Sequence, residues 1–508
     1  MTKRTKRAWT VGTLTAIVTL GAPPVLLSTA KAAAATCAAR TGGGEWRQYS
    51  HDLSNSRFQG DEHDLGPAVA KTLAPAWTFL VSANGGTGSM NNTPAVADGC
   101  LFVATAASSF TATDGGSVFA LNADTGQVVW KQQLKDPVSS SPTVKDGKVF
   151  LSVNRSNAPY AVALDEHTGA LLWSTTIDTQ KGSDTYASPV VFDNMVFVGV
   201  SGAGAEAGTT ATGNPGIRLT FRGSYSLLDE ATGFSLVHRF VISEDDYKKG
   251  FAGGGVWSTA AVDPATHYAY VGTGNPFNAD EHPNTNAIIK IDVDRRSSTF
   301  GQLVGAYHGT NDLYVPGGTH KPACAVYVDV FTCDPPDFDM GASPQLFTDA
   351  AGDRLVGDHQ KSGVYHAADR ETMRGVWKTT VGGPFGQFGG EATASFDGKS
   401  ILVAGNAPGL MSALDPTSGA DRWVQPIADG LHFQSVSSAG GVTYATDTRG
   451  FLDAWDSATG VPLLVRSLGA DTGQGEAQGF STGWGIAIAR HHLFVPTSGG
   501  YLVMYRAA

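Results

Sequence analysis

FALNADTGQVVW (119–130), VALDEHTGALLW (162–173), SLLDEATGFSLV (226–237), SALDPTSGADRW (412–423) and DAWDSATGVPLL (453–464) are near-copies of one another. Each alternates apolar residues up to an Asp or Asn, turns at a Thr-Gly or Ser-Gly corner, and resumes an apolar run. Strand–turn–strand units that recur every few tens of residues mark a β-propeller. The reading decides the fold and is silent on function, because a propeller is a scaffold and chemistry is built on what departs from the repeat.

Working outward, the corners near residues 125, 168, 232, 418 and 459 lie 41 to 64 positions apart where no gap intervenes. Two worn copies join them: AIIKIDVDRRSSTFG (287–301), with Arg295-Arg296 at the corner, and YHAADRETMRGVW (365–377), with Met-Arg-Gly there. Each unit follows a second strand pair such as PAVADGCLFVAT (94–105), PTVKDGKVFLSV (142–153), PVVFDNMVFVGV (189–200) or AVDPATHYAYVGT (261–273). Alternating runs joined by Asp-Gly or Asp-Asn read as hairpins. Seven blades are countable in this way. WRQYSHDLSNSRFQG (46–60) and LAPAWTFLV (73–81) are expected to supply an eighth, closed with GYLVMY (500–505). The all-β fold is therefore read as an eight-bladed propeller, with seven blades as the alternative. Trp130, Trp173, Trp377 and Trp423 recur at one position after the corner and are expected to dock between neighbouring blades.

The ends and the composition bound the rest. Lys3, Arg4, Lys6 and Arg7 precede a mostly apolar run from Ala8 to Leu27, and A-x-A sites follow at Ala30-Lys31-Ala32 or Ala33-Ala34-Ala35. That is the pattern of a signal peptide over residues 1–32, with cleavage as late as 35, and a membrane anchor is the rival reading. No other stretch is apolar enough to span a bilayer, so residues 36–508 are expected to form one secreted propeller domain. The 63 glycines suit many tight turns. Without residues 1–32 the chain carries 30 Lys+Arg against 46 Asp+Glu, a balance of −16. That argues against nucleic acid and against anionic membrane as partners. The four cysteines, Cys37, Cys100, Cys324 and Cys333, are expected to pair as 37–100 and 324–333 in an oxidising compartment. Lipidation is the rival fate of Cys37. No Cys-x-x-Cys-His occurs in the sequence, so no covalent haem is expected.

The repeat is interrupted at 201–222, 274–286 and 308–343, and loops on a rigid scaffold are where sites are usually built. Four motifs lie in or beside these interruptions. They are VGVSGAGAEAG (198–208), GGGVWSTAAVDPATHYAYVGTGNPFN (253–278), PPDFDMGASPQLF (335–347) and LVGDHQKSGVYHAADRETMRG (355–375). With the opening WRQYSHDLSNSRFQG and the tryptophan corners, they make the chain resemble the quinoprotein alcohol dehydrogenases from Trp46 to Tyr505. Those enzymes use pyrroloquinoline quinone (PQQ) and include methanol and polyvinyl alcohol dehydrogenases.

The resemblance implies roles by position. Trp257 would form the floor beneath the flat quinone, with Gly255 in the glycine run beside it. Glu206 and Asn275 would ligate the metal, although two extra residues between Ala203 and Glu206 disturb that register. Asp337 would be both ligand and the base that takes the alcohol proton, with Asp312 as a weaker rival. Asp339, two residues on, is a further ligand; an acid there is associated with lanthanide-binding members, so Ca²⁺ is the default metal and a lanthanide the alternative. Lys361 would face the quinone carbonyls, and Arg222 would contact the cofactor. The adjacent-cysteine disulfide and the His-Asp-x-Trp-Asp string of methanol dehydrogenases are absent, and the Cys324–Cys333 loop resembles the polyvinyl alcohol dehydrogenase branch instead. The implied function is an exported enzyme that oxidises an alcohol and passes electrons to an external acceptor such as a cytochrome. The competing reading is a non-catalytic repeat propeller that binds or assembles other proteins.

Overall fold

The computed structural model describes residues 36–38, 42–109, 112–202, 220–312, 325–327, 330–332, 338–383, 392–406, 409–427, 434–475 and 485–508. Ala35–Ala508 form one compact unit. Its described strands assemble into eight four-stranded antiparallel blades of the same design, with a separate two-stranded hairpin of Ala325–Tyr327 and Val330–Thr332. Blades 1 to 7 run in chain order over 95–133, 143–176, 190–240, 261–308, 345–380, 395–426 and 437–467. Blade 8 takes Ala487–Ala489, His492–Pro496 and Tyr501–Ala507 from the C-terminus and its outer strand, Leu73–Leu80, from the N-terminus. Uniting the two ends in one sheet closes the ring and leaves it without a seam. Among the described residues no helix is long and apolar enough to cross a membrane.

Because neighbouring strands are antiparallel, the corners between third and outer strands share one face of the ring. The connections from second to third strand, and from outer strand to the next blade, share the other. Each corner is fixed chemically. In the blade 3 corner, Thr232 donates from its N–H (3.0 Å) and its hydroxyl (2.8 Å) to Asp229 Oδ1. Such bonds from the corner threonine hold Asp165, Asp229 and Asp369 below the usual carboxylate range. The expected tryptophan docking is present. Trp130 Nε1 donates to Glu166 O (2.8 Å), Trp173 to Glu230 O (3.0 Å), Trp377 to Pro416 O (3.0 Å) and Trp423 to Ser457 O (3.0 Å), always in the next blade. Glycine is needed at the corner twice over: Gly169 has φ +71°, and a Cβ there would lie 2.6 Å from the Trp130 ring.

Three sequence expectations need correction. The blade 4 corner is lengthened rather than worn to Arg-Arg. Ser297 and Thr299 hydroxyls both bond to Asp292 at 2.5 Å, and Gly301 takes the left-handed position at φ +73°. In blade 5, Met373 occupies the glycine position at φ 55° because blade 4 presents Gly305 and Tyr307 there instead of a tryptophan, leaving room that the methionine fills. The stretch 46–60 does not belong to blade 8. It is a strap laid across the inner strands of the ring.

The strap is polar because its work is hydrogen bonding. Its main chain bonds Val96, Val144, Val262, Leu346, Phe396 and Ser438, on the inner strands of blades 1, 2, 4, 5, 6 and 7. Phe58–Gln59 pair in parallel with blade 7. Arg57, fully buried, reaches Tyr49 O (2.6 Å), Val436 O (2.8 Å), Ser437 Oγ (3.0 Å) and Ile486 O (3.4 Å), and Gln59 Nε2 reaches Ile488 O (3.1 Å). Beside it runs a girdle of hydroxyls, one before the inner strand of every blade but the eighth. Thr93 N–H donates to Ser141 Oγ (2.8 Å), Ser141 N–H to Ser188 (2.9 Å), Ser188 N–H to Thr259 (3.1 Å), Thr259 N–H to Ser343 (2.9 Å) and Ser343 N–H to Thr393 (3.0 Å). In blade 8 the place is Gly485, because a Cβ there would run into the Arg57 guanidinium. The Cys37–Cys100 disulfide ties the N-terminal segment to blade 1 as expected. Cys324 and Cys333 lie outside the described residues.

Candidate active site

The motifs gather on the face opposite the corners, over blades 3, 4 and 5. The girdle positions the first of them: Trp257 stands two residues before Thr259, whose N–H and hydroxyl are both engaged by the neighbouring blades. Ser258 is fixed by Gly272, accepting from its N–H (2.8 Å) and donating to its carbonyl (3.1 Å). Trp257 is left half-buried at the inner end of the glycine run.

That run threads between two blades by main-chain bonds. Val256 N–H donates to Val200 O (2.9 Å), Gly254 N–H to Asn275 O (2.9 Å), and Gly274 N–H to Gly255 O (2.8 Å). A Cβ on Gly255 would come within 3.4 Å of Gly202 N, and one on Gly274 within 3.1 Å of Asp339 Oδ1. The glycines therefore bring three backbones close beside an indole face, a cradle that side chains would fill.

Asp339 is the centre of the group. Its Oδ1 accepts from Asn275 N–H (2.5 Å), its Oδ2 pairs with Lys361 Nζ (3.0 Å), and its carbonyl accepts from Lys361 N–H (3.0 Å). The Lys361 ammonium also stands 5.0 Å from the centre of the Trp257 ring. The Lys361 and Asp339 side chains are only 9% and 6% exposed. A pair so buried contributes little net stability unless further contacts satisfy it, and here the Asn275 N–H bonds to the carboxylate while the indole face makes a cation–π contact with the ammonium. The arrangement fixes a cation above an aromatic plane.

The remaining sequence-derived residues fall elsewhere. Arg222 touches the group only through its backbone, bridged to Gly253. Its guanidinium is sandwiched between Phe240 (4.0 Å) and Tyr247 (4.3 Å) and bonds to Ile242 O (3.2 Å) and Glu244 (3.1 Å). Asp312 Oδ1 accepts from Phe338 N–H (2.6 Å), and its own N–H donates to Glu281 (2.6 Å), whose carboxyl burial pushes up. Glu206 and Asp337 lie outside the described residues. Among the described residues no three His, Cys, Asp or Glu side chains converge as a metal cluster. A groove of about 630 Å³ opens on the corner face instead, lined by Asp52, Val262, Asp263, Leu346, Arg370 and Phe396, away from this group.

Sequence reading missed Asp358, His359, Gln360 and His366, all buried on blade 5 next to Lys361. Burial raises Asp358 well above the carboxylate range and depresses His359 to about 4, and burial together with the nearby Lys378, His359 and His308 depresses His366 to about 3. Their signal lay within the quoted DHQKSGVYH: an Asp, a His and a Gln closing an otherwise apolar strand, where polar residues are unexpected.

The residues described fit a flat anionic quinone: a half-buried indole face, a cation fixed above it and a glycine-lined wall. They fit a hard cation in part, since Asn275 and Asp339 offer oxygen ligands and the others named for it fall outside the described residues.

Comparison with known proteins agrees. A family model described as "Outer membrane protein assembly factor BamB" matches residues 3–216 and 360–508. Polyvinylalcohol dehydrogenases of Pseudomonas sp and Sphingopyxis sp. (strain 113P3) are each 28% identical over 82% of this chain. The matches cover 67% and 66% of those proteins, so the chain spans about two thirds of their length. The crystal structure of quinohemoprotein alcohol dehydrogenase from Comamonas testosteroni superposes with a TM-score of 0.68 at 17% identity, over 91% of this chain and 80% of that one. The chain belongs to the propeller family that the matched model defines, and over most of its length it is similar to polyvinylalcohol dehydrogenases.

Proposed function

We propose that the chain is an exported quinoprotein dehydrogenase that oxidises an alcohol to an aldehyde or ketone, using PQQ and a metal ion and passing electrons to an external acceptor such as a cytochrome. The observation that carries this is the Asp339–Lys361 pair held 5.0 Å over the Trp257 ring. A non-catalytic binding propeller has no use for a buried cation set above an indole plane. Residues 1–32 serve as the export leader, consistent with the Cys37–Cys100 disulfide.

Bound PQQ supplies a two-electron acceptor for the alcohol's hydride. The chain's own residues do the rest. Trp257 provides the plane against which a flat ring is sandwiched. Lys361, pre-oriented by Asp339, supplies an N–H donor where negative charge develops on a carbonyl oxygen. Asn275, Glu206 and the two acids at 337 and 339 would hold the cation, Ca²⁺ by default, with the second acid favouring a trivalent lanthanide. Asp339 is already engaged by the Asn275 N–H and the Lys361 ammonium. The alcohol proton is assigned to Asp337, as the family resemblance implies.

The test loads the purified protein with PQQ plus Ca²⁺ or La³⁺ and follows tryptophan quenching and dye reduction with a panel of alcohols. The expected outcome is quenching that depends on Trp257 and alcohol-dependent reduction that falls at least 100-fold in Asp337→Ala. Neither quinone retention nor reduction with any loading would sink the enzyme reading and leave the binding propeller.

A further inference from the structure

Gln360 is wholly buried one residue before Lys361, and its amide is used on every side. Nε2 donates to Thr310 O (2.9 Å) and Phe338 O (2.6 Å). Oε1 accepts from Thr310 N–H (3.0 Å) and the Ser362 hydroxyl (2.8 Å), and lies 3.0 Å from His366 Nε2. Main-chain partners have fixed roles, so Thr310 and Phe338 settle which end of the amide is which. The His366 nitrogen facing Oε1 then carries the proton, and Nδ1 accepts from the Tyr307 hydroxyl at 2.9 Å. Burial depresses the imidazole to about 3, so this neutral tautomer persists across the working pH range.

The positions of its two main-chain partners give the amide its significance. Thr310 and Phe338 lie near opposite ends of the 308–343 interruption, and one side chain joins them. Phe338 N–H is taken from the other side by Asp312 Oδ1 at 2.6 Å, so both main-chain polar atoms of this one residue, which belong to successive peptide units, are held. Asp337 and Asp339 flank Phe338 in sequence.

We propose that Gln360 is a positioning residue that clips the two ends of the 308–343 interruption together and thereby sets Asp339 against Asn275 and Lys361. Its effect on turnover rests on the quinoprotein reading; its effect on Asp339 does not. Alignment of a fixed pair above a cofactor plane is the kind of term that changes kcat, since a displacement on the order of 1 Å costs roughly 100-fold.

The test compares wild type with Gln360→Leu, similar in size without the amide, and Gln360→Glu, which keeps an acceptor and loses both donors. Hydrogen exchange is read at the Asn275 and Lys361 amides, both of which donate to Asp339. In either variant these amides are expected to exchange at least tenfold faster while those of blade 1 are unchanged, with kcat down at least tenfold and KM within threefold. Unchanged exchange at Asn275 and Lys361 would overturn the proposal. So would uniform acceleration through all blades, which marks a merely structural role. If wild type shows no turnover under any loading, the quinoprotein reading fails, and exchange at these two amides alone decides the clip.

Discussion

At the residue scale, blade 5 buries groups of opposite character side by side. His359 is neutral in the fold because burial depresses it to about 4, whereas burial raises the Asp358 carboxyl well above the usual carboxylate range. The signs differ. Unfolded His359 takes up a proton below its ordinary value of 6.5 and the folded form does not, so its contribution is present above 6.5 and is lost as pH falls towards 4. Asp358 works the other way, favouring the fold in acid and opposing it once the unfolded carboxyl ionises. His359→Gln removes only the acid-sensitive part. It should shrink the loss of stability between pH 7.5 and 4.5 by roughly 2.5 kcal/mol, read from denaturant midpoints at the two pH values. An unchanged pH difference would show that His359 is protonated in the fold.

The same residues show what can be read from a linear sequence. Trp257 and Asn275 stand in one motif and were legible there. The pairing of Asp339 with Lys361 was not, because the ring brings together residues 22 positions apart. The surroundings of Arg222 were hidden for a related reason: a cation beside a motif invites a site role, and only the fold shows Phe240 and Tyr247 closing on its guanidinium. Gln360 carries no charge, and its meaning depends on main-chain atoms that the sequence does not display.

At the scale of the element, the corner is the unit of stability. The corners of blades 2, 3, 6 and 7 each bind a tryptophan from the preceding blade, so a fault in one of them loosens two. Gly169→Ala puts a Cβ against the Trp130 ring at a φ of +71°. It should cost about 2 to 4 kcal/mol, combining left-handed strain with displacement of the indole, and thermal unfolding will measure it. A cost below 1 kcal/mol would mean that the indole dock is loose. The corners were legible because they are local, four to six residues whose hydrogen bonds close on themselves. The strap was not. Its Ser, Asn and Arg read as an irregular strand, yet they are buried against carbonyls of blades hundreds of residues away. The girdle hid similarly: Ser-Pro or Thr-Pro recurs before the inner strands at 93–94, 141–142, 188–189 and 343–344, and nothing local says that one hydroxyl answers the next blade's N–H.

At the scale of the whole molecule, ring closure and the strap do different jobs. The outer strand Leu73–Leu80 completes blade 8 edge to edge, whereas the strap spans the ring from blade 1 to blade 8. Arg57→Met takes the guanidinium from three buried carbonyls, of which Ile486 O keeps the Ser437 hydroxyl and Tyr49 O keeps Trp46 Nε1, at a cost of roughly 2 to 3 kcal/mol. The loss should appear as faster unfolding with little change in the refolding rate, measured by stopped-flow fluorescence. Slower refolding would instead place the strap in the folding nucleus.

That expectation follows from where the strap's partners lie along the chain. Ile486 and Ile488 lie 429 residues further along the chain than Arg57 and Gln59, which they accept from, and so are made much later. A segment whose acceptors do not yet exist has to wait, exposed, for the blades between to arrive. Its polar character then has a second use, since a waiting apolar strand would invite aggregation and this one does not. Birth order and docking order are thus reversed in this chain, and the strap is seated only on a ring that is already whole.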